Sequence, residues 1–356
     1  MNELFDILAA FALNGAPVSC ENFGSGHINT TYLVSTDNNK KYILQKINTS
    51  VFKDADGLMS NIQAVTAHIA KKADDKRKVL QLIKTSAGRL YYTHTDGSVW
   101  RVCNYIDGSI CLQLPETPSD FYESAVAFGT FQQQLIDFPA HTLVESIPNF
   151  HNTPDRYHIF REVLKKDPLG RAAKVKNEID FALSREEEMS QIHSLLQSGS
   201  IPLRVTHNDT KLNNVMLDAQ TRKALCVIDL DTVMPGSSLY DYGDSIRFGA
   251  ASGAEDEKDL SKIEVRLDMF RAYTEGFLSA CPGLTALEKE LMPLGAKTMT
   301  LECGLRFLTD YIDGDNYFAI HREGHNLDRC RTQFKLVSDM ESKWQQMNDI
   351  VKELCR

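Results

Sequence analysis

Eight consecutive residues, His207-Asn208-Asp209-Thr210-Lys211-Leu212-Asn213-Asn214, hold the densest polar chemistry in the chain. They follow a short β-prone run at 203–206. They precede a hairpin pattern: Val215-Met216-Leu217, a turn over 218–223, then an apolar run at 224–228 that ends at Asp229. The spacing H-x-D-x-K-x-x-N, with an acid at the next strand end, suits phosphoryl transfer. That reaction asks little covalent help of a protein; it needs an acceptor hydroxyl held in line and phosphate charge neutralised. Asp209 could take the hydroxyl proton and orient the nucleophile. Lys211 would aim a positive charge at a γ-phosphate. Asn214 would offer a neutral oxygen, and Asp229 a carboxylate, to Mg2+, a hard cation that takes oxygen ligands. His207 is read as bracing the loop. Each of these residues is also an ordinary turn residue, and Asp218 is taken as only that; the offsets in combination favour the chemical reading.

A second motif is Gly24-Ser25-Gly26-His27-Ile28-Asn29-Thr30-Thr31. A glycine hairpin early in a β lobe lets backbone approach a triphosphate, so Gly24, Ser25, Gly26, Asn29 and Thr30 are expected to meet nucleotide. The motif lacks a G-K-[ST] ending and opens a strand rather than a helix, which excludes P-loop and Rossmann readings. A third feature is a gap. Protein kinases carry a phosphate-binding lysine on the third strand, in a pattern like V-A-I-K. Here Tyr42-Ile43-Leu44-Gln45-Lys46 puts Gln45 in that register, with Lys46 facing the other side of the sheet unless a bulge re-aims it. Gln45 is the preferred nucleotide contact. In Tyr240-Asp241-Tyr242-Gly243-Asp244, Asp244 is expected to accept backbone N–H bonds from the 207–214 loop, and Asp241 to cap a helix.

These residues need two different scaffolds. Strand patterns at 23–34, 41–47, 79–84, 90–92 and 99–106, with a helical period at 58–71, predict a small α+β lobe of five strands and one helix. Residues 118–200 and 256–356 are mostly helical in period. The expected lobes are 1–106, for nucleotide, and 107–356, for catalysis and substrate. With 356 residues, 42% hydrophobic and 24% charged, the chain fits a two-lobed globular protein. A formal net charge of -9 argues against nucleic-acid partners. No apolar run is long enough for a membrane span, and the 1–15 segment reads as an amphipathic helix rather than a signal peptide. Eight cysteines without C-x-x-C spacing are read as reduced thiols of a cytoplasmic protein.

HNDTKLNN and VIDLD resemble the aminoglycoside phosphotransferase and choline kinase superfamily, a branch of the protein-kinase-like fold. Within it, GHINTTYLV at 26–34, YILQ at 42–45, IPLRVTHNDTKLNN at 201–214, IDLDTVMPGS at 228–237, FRAYTEGF at 270–277 and ECGLRFL at 302–308 are similar to N-acetylhexosamine 1-kinases. The resemblance implies an α+β, two-lobed protein-kinase-like fold, with a small β-rich N-terminal lobe and a larger, mainly helical C-terminal lobe. It implies ATP- and Mg2+-dependent phosphorylation of the anomeric hydroxyl of a small-molecule sugar, with Asp209 as base and Asn214 and Asp229 on metal. Asp244, Phe248, Arg306 and Tyr317 are the sugar-pocket candidates beside Asp209, and the 104–106 segment (Asn104, Tyr105, Ile106) should meet adenine. Choline, ethanolamine, homoserine and aminoglycoside kinases share the loop. A catalytically silent relative would be expected to lose Asp209, Asn214 or Asp229, and all three are present. A protein kinase is disfavoured because D-F-G and A-P-E are absent.

Overall fold

The computed structural model describes residues 2–24 and 28–356, so Ser25 and Gly26 lie outside the described residues. The first part contains α1 (Asn2–Leu8), β1 (Pro17–Asn22), β2 (Thr30–Thr36), β3 (Lys41–Ile47), α2 (Ala55–Ala70), β4 (Leu82–Ile83), β5 (Tyr92–Thr93) and β6 (Val99–Asn104). The strands form one sheet in the order β1-β2-β3-β6-β4, with β5 also on β6. It has six strands rather than five. Pro17–Asn22 lies upstream of the expected first strand; its only apolar alternation is Val18 and Cys20, and Val18 is exposed on this edge strand.

Alternation along β3 divides the sheet's two faces. Tyr42 and Leu44 pack with Trp100, Val102 and the α1 residues Ile7 and Leu8. Ile47 and Val99 join the opposite core, which includes Leu58, Met59, Ile62, Val65 and Ile69 of α2 and runs on into the C-terminal part. Asp54 caps α2 by accepting from the Gly57 N–H at 2.9 Å.

The second part begins with β7 (Ser109–Cys111) and continues through α3 (Pro118–Gln134), α4 (Thr153–Lys166), α5 (Lys176–Leu183), α6 (Glu186–Met189) and α7 (Gln191–Gln197). Four short strands follow: β8 (Arg204–Thr206), β9 (Val215–Asp218), β10 (Ala224–Val227) and β11 (Met234–Gly236). Then come α8 (Ser238–Gly249), α9 (Leu267–Ala280), α10 (Ala286–Glu290), α11 (Met292–Asp313), α12 (His325–Ser342) and α13 (Trp344–Leu354). The fold is α+β, with an antiparallel N-terminal sheet and a helical C-terminal part. Among the described residues, no helix is long and apolar enough to cross a membrane.

The strand pairings fix where the polar loops lie. β8 pairs β11 with Thr206 opposite Met234, and β9 pairs β10 with Val215 opposite Val227. The loops 207–214 and 228–233 are therefore clamped side by side at both ends. Helix α8 supports them from below and packs closely on α11: a Cβ at Gly243 would overlap the Gly295 carbonyl oxygen.

Candidate active site

The 207–214 loop is organised by hydrogen bonds from below. Fully buried Asp241 accepts from the N–H of His207 at 2.9 Å, the N–H of Asn208 at 2.8 Å and Gln132 Nε2 at 2.7 Å. Asp244 accepts from the Thr210 N–H at 3.1 Å and from Arg247 Nε at 3.1 Å. The bracing expected of Asp244 is thus shared, and Asp241 carries the larger part. Asp241 does not cap α8; Ser237 does, accepting from the Leu239 N–H at 3.3 Å. Burial raises the Asp241 pKa, only partly offset by His207 and its donors. Burial also pushes Asp244 up, but Arg247 and Lys211 outweigh it and hold it below the usual carboxylate range.

His207 is fully buried, with Nε2 2.8 Å from the Ile228 carbonyl and Nδ1 accepting from the Asp209 N–H at 3.3 Å. The network assigns the proton to Nε2, so His207 braces one loop against the other. Asn208 and Asp229 both adopt left-handed backbone, at φ 66° and 57°. Such strain in non-glycine residues persists only where surrounding bonds hold it; Asn208 Nδ2 donates to the Thr232 carbonyl at 2.8 Å.

At the loop's open side the chemical groups meet. Lys211 Nζ is 2.9 Å from Asp209 Oδ1, and Asn214 Nδ2 donates to Asp209 Oδ2 at 3.2 Å and to its carbonyl at 2.8 Å. Burial would lower the Lys211 pKa, but Asp209 reverses this and keeps it charged. With its amide nitrogen engaged, Asn214 keeps Oδ1 as an acceptor without a donor among the described residues. Asp229 is open to solvent on one side, and its carboxylate has no hydrogen-bond donor among the described residues. Desolvation by the surrounding protein and the neighbouring charge of Asp231, opposed by Arg101, raise its pKa to about 6. Two hard oxygen donors, one a carboxylate lacking any cation or donor of its own, suit Mg2+.

Gln45 faces the α2 side of the sheet, donating from Nε2 to Thr31 Oγ1 at 3.1 Å. The β3–β6 register is unbroken from Tyr42 to Ile47, so no bulge re-aims Lys46, whose Nζ lies over the Trp100 ring on the other face. Gly24 has φ 78° and, among the described residues, no neighbouring atom where a Cβ would stand. Asn29 is tied down, donating to Asp231 Oδ2 at 2.6 Å and accepting from the Asn48 N–H at 2.9 Å; Thr30 is exposed at the start of β2. The Asn104 side chain accepts from the Gln81 N–H at 2.6 Å and so pins the chain beside β4. The Tyr105 and Ile106 N–H groups have no protein acceptor among the described residues. Ile106 packs with Leu80, Met216, Leu225, Cys226 and Ile228, an apolar surface that sequence did not single out.

The sugar-pocket candidates do not form one cluster. Asp244 is 7% exposed, with both oxygens already occupied by Thr210 and Arg247. Phe248 is half-buried on α8. Arg306 and Tyr317 do meet: the guanidinium lies 5.3–5.8 Å from the ring centres of Phe150, Phe318 and Tyr317, with no carboxylate partner among the described residues. They line a cavity of about 180 Å³ with Arg156, Asp310 and Asp313. Beside this wall, His151 Nδ1 is 2.8 Å from Glu302 Oε1, while its Nε2 is buried without a partner among the described residues.

Two features went unread in the sequence: Asp241 as the main brace, and Arg101, which joins Gln45 to Asp231. Asp241→Ala would orphan three buried donors and should lower stability by about 2–5 kcal/mol. Urea unfolding measures this, and a loss below about 1 kcal/mol would show that the carboxylate does not hold the loop.

Several solved structures share the fold. A microcompartment-associated aminopropanol kinase is similar at 15% identity and TM-score 0.64, over 98% of both chains. An amicoumacin kinase, in complex with AMP-PNP and Ca2+, is similar at 11% identity and TM-score 0.62, over 96% of this chain and 93% of that one. A Plasmodium vivax ethanolamine kinase is similar at 12% identity and TM-score 0.54, over 88% of this chain and 82% of that one. Residues 19–279, well over half of the sequence, match the family APH, the phosphotransferase enzyme family, and the chain belongs to it.

Proposed function

We propose that the chain transfers the γ-phosphoryl group of ATP to the anomeric hydroxyl of an N-acetylhexosamine. The observation that carries phosphoryl transfer is the gathering of Asp209, Lys211 and Asn214 within hydrogen-bonding distance, with Asp229 uncommitted on the adjoining loop. Asp209 receives the proton as the sugar oxygen bonds to phosphorus and the bond to the ADP oxygen breaks. Lys211, 2.9 Å from Asp209, offers positive charge to the transferred group. Asn214 Oδ1 and Asp229 would hold Mg2+, which when bound would neutralise phosphate charge. The free N–H groups of Tyr105 and Ile106 meet the adenine edge, over the apolar surface of Ile106, Met216 and Ile228.

The sugar rests on the sequence likeness along 26–34, 201–214 and 302–308, and is supported by the Arg306 cavity. The cavity offers Arg306 and Arg156 beside Asp310 and Asp313: sugar hydroxyl and amide oxygens accept from guanidinium, hydroxyls donate to carboxylate, and sugar faces pack on aromatic rings. Arg306→Ala should raise the acceptor KM by about 10-fold or more and leave the ATP KM within about twofold. The reverse pattern would move Arg306 to the nucleotide side. ATP consumption with N-acetylglucosamine, N-acetylgalactosamine, choline, ethanolamine, homoserine and kanamycin tests the class. Turnover confined to the hexosamines supports the proposal, and turnover with an amine alone would replace it.

A further inference from the structure

The strand position that carries a phosphate-binding lysine in protein kinases holds Gln45 here, and the helix that supplies its acidic partner supplies none. The only acid on α2 is Asp56, which accepts from the Tyr91 hydroxyl at 2.8 Å. On the inner side of α2, Asn61 instead donates to the carbonyls of Val144 at 2.7 Å and Val233 at 3.0 Å.

Directly across the sheet from Gln45, in register on β6, stands Arg101. It is 3% exposed in a mostly apolar strand, where a guanidinium is unfavourable unless paired. Its Nε donates to Gln45 Oε1 at 2.9 Å and its Nη1 to Asp231; Nη2 has no acceptor among the described residues. Asp231 is fixed in turn by Asn29 at 2.6 Å and lies two residues beyond Asp229. The guanidinium therefore sits between the Gln45 register and the segment that carries the uncommitted carboxylate.

We propose that Arg101 is the nucleotide-phosphate cation of this chain, replacing the absent strand lysine, and that Asp231 replaces the helix acid as its anchor. The inference rests on the phosphoryl-transfer reading above. Gln45 and Asp231 hold two of the five guanidinium donors, which leaves the Nη2 edge to meet an α- or β-phosphate oxygen without breaking the pair. The competing account is a purely structural tie between β6 and the segment after Asp229.

Calorimetric titration of the full chain with ATP, ADP and adenosine separates the two, needs no acceptor and reads no turnover. Arg101→Met should weaken ATP and ADP on the order of 10- to 100-fold while adenosine stays within about twofold. Moving the cation across the register, with Gln45→Lys and Arg101→Gln together, should restore most of the preference for ATP over adenosine. The double variant also serves if Arg101→Met fails to fold. Equal losses for ATP and adenosine, or no loss for either, would overturn the proposal. If the double variant folds without regaining the preference, Arg101 is only a tie. Wild-type chain that binds no ATP would remove the phosphoryl-transfer reading itself, a result distinct from either.

Discussion

Asp209→Asn should slow turnover by about 10²–10⁴-fold, the range for a lost positioned base, while leaving ATP affinity nearly unchanged. Asparagine keeps the shape of the side chain. It loses the charge that pairs with Lys211 at 2.9 Å and the lone pair that would take the hydroxyl proton. Because the loop is braced from beneath by Asp241 and Asp244, the backbone at 209 should not move when the side chain changes. The loss then belongs in kcat. Single-turnover kinetics at saturating ATP measure it, and a rate within about threefold of wild type would remove Asp209 from proton transfer.

Asp229→Ala should have an effect of similar size through the metal, on the order of 10³-fold in rate at millimolar Mg2+, with the saturable Mg2+ response lost. No other carboxylate with free oxygens stands on this loop: Asp231 is engaged by Arg101 and Asn29. The raised pKa adds a pH signature. With a value of about 6 in the free chain, a falling pH neutralises Asp229 well before an ordinary carboxylate, so protons compete with the cation. Apparent Mg2+ affinity should be level above that pH and fall about tenfold per pH unit below it. In Asp229→Ala this break should vanish. A wild-type Mg2+ titration unchanged between pH 7 and 5 would contradict the ligand assignment.

Local spacing made the 207–214 loop legible. Asp209, Lys211 and Asn214 fall within six residues, and a short hairpin brings Asp229 back beside them, so chain connectivity forces most of the arrangement. Helix positions were legible from apolar period, as in α2, where Leu58, Ile62, Val65 and Ile69 all face the core. What escaped was long-range or polar. Pro17–Asn22 offers only Val18 and Cys20 in alternation, too short a pattern to read, and its identity as a strand depends on pairing with β2. The Arg101–Asp231 pair spans 130 positions and leaves no spacing signal. A lone arginine inside Val99–Asn104 was nonetheless a cue, since a charge buried in an apolar strand needs a partner. Asp241 and Asp244 are one helical turn apart, and only the packing of α8 decided which carboxylate would sit beneath both His207 and Asn208. The acceptor side was least legible, because Phe150 is more than 150 residues from Arg306 and Tyr317 and meets them only in the folded chain.

The central claim is that the cluster at Asp209 moves phosphorus from ATP to a sugar oxygen. Phosphorus NMR of the chain with ATP, Mg2+ and N-acetylglucosamine or N-acetylgalactosamine follows that atom directly. The account predicts a new phosphomonoester resonance, coupled to the anomeric proton, growing in step with ADP and at least about 100-fold more slowly with Asp209→Asn. Phosphorus that stays in ATP with both sugars, or appears only as inorganic phosphate, would contradict it.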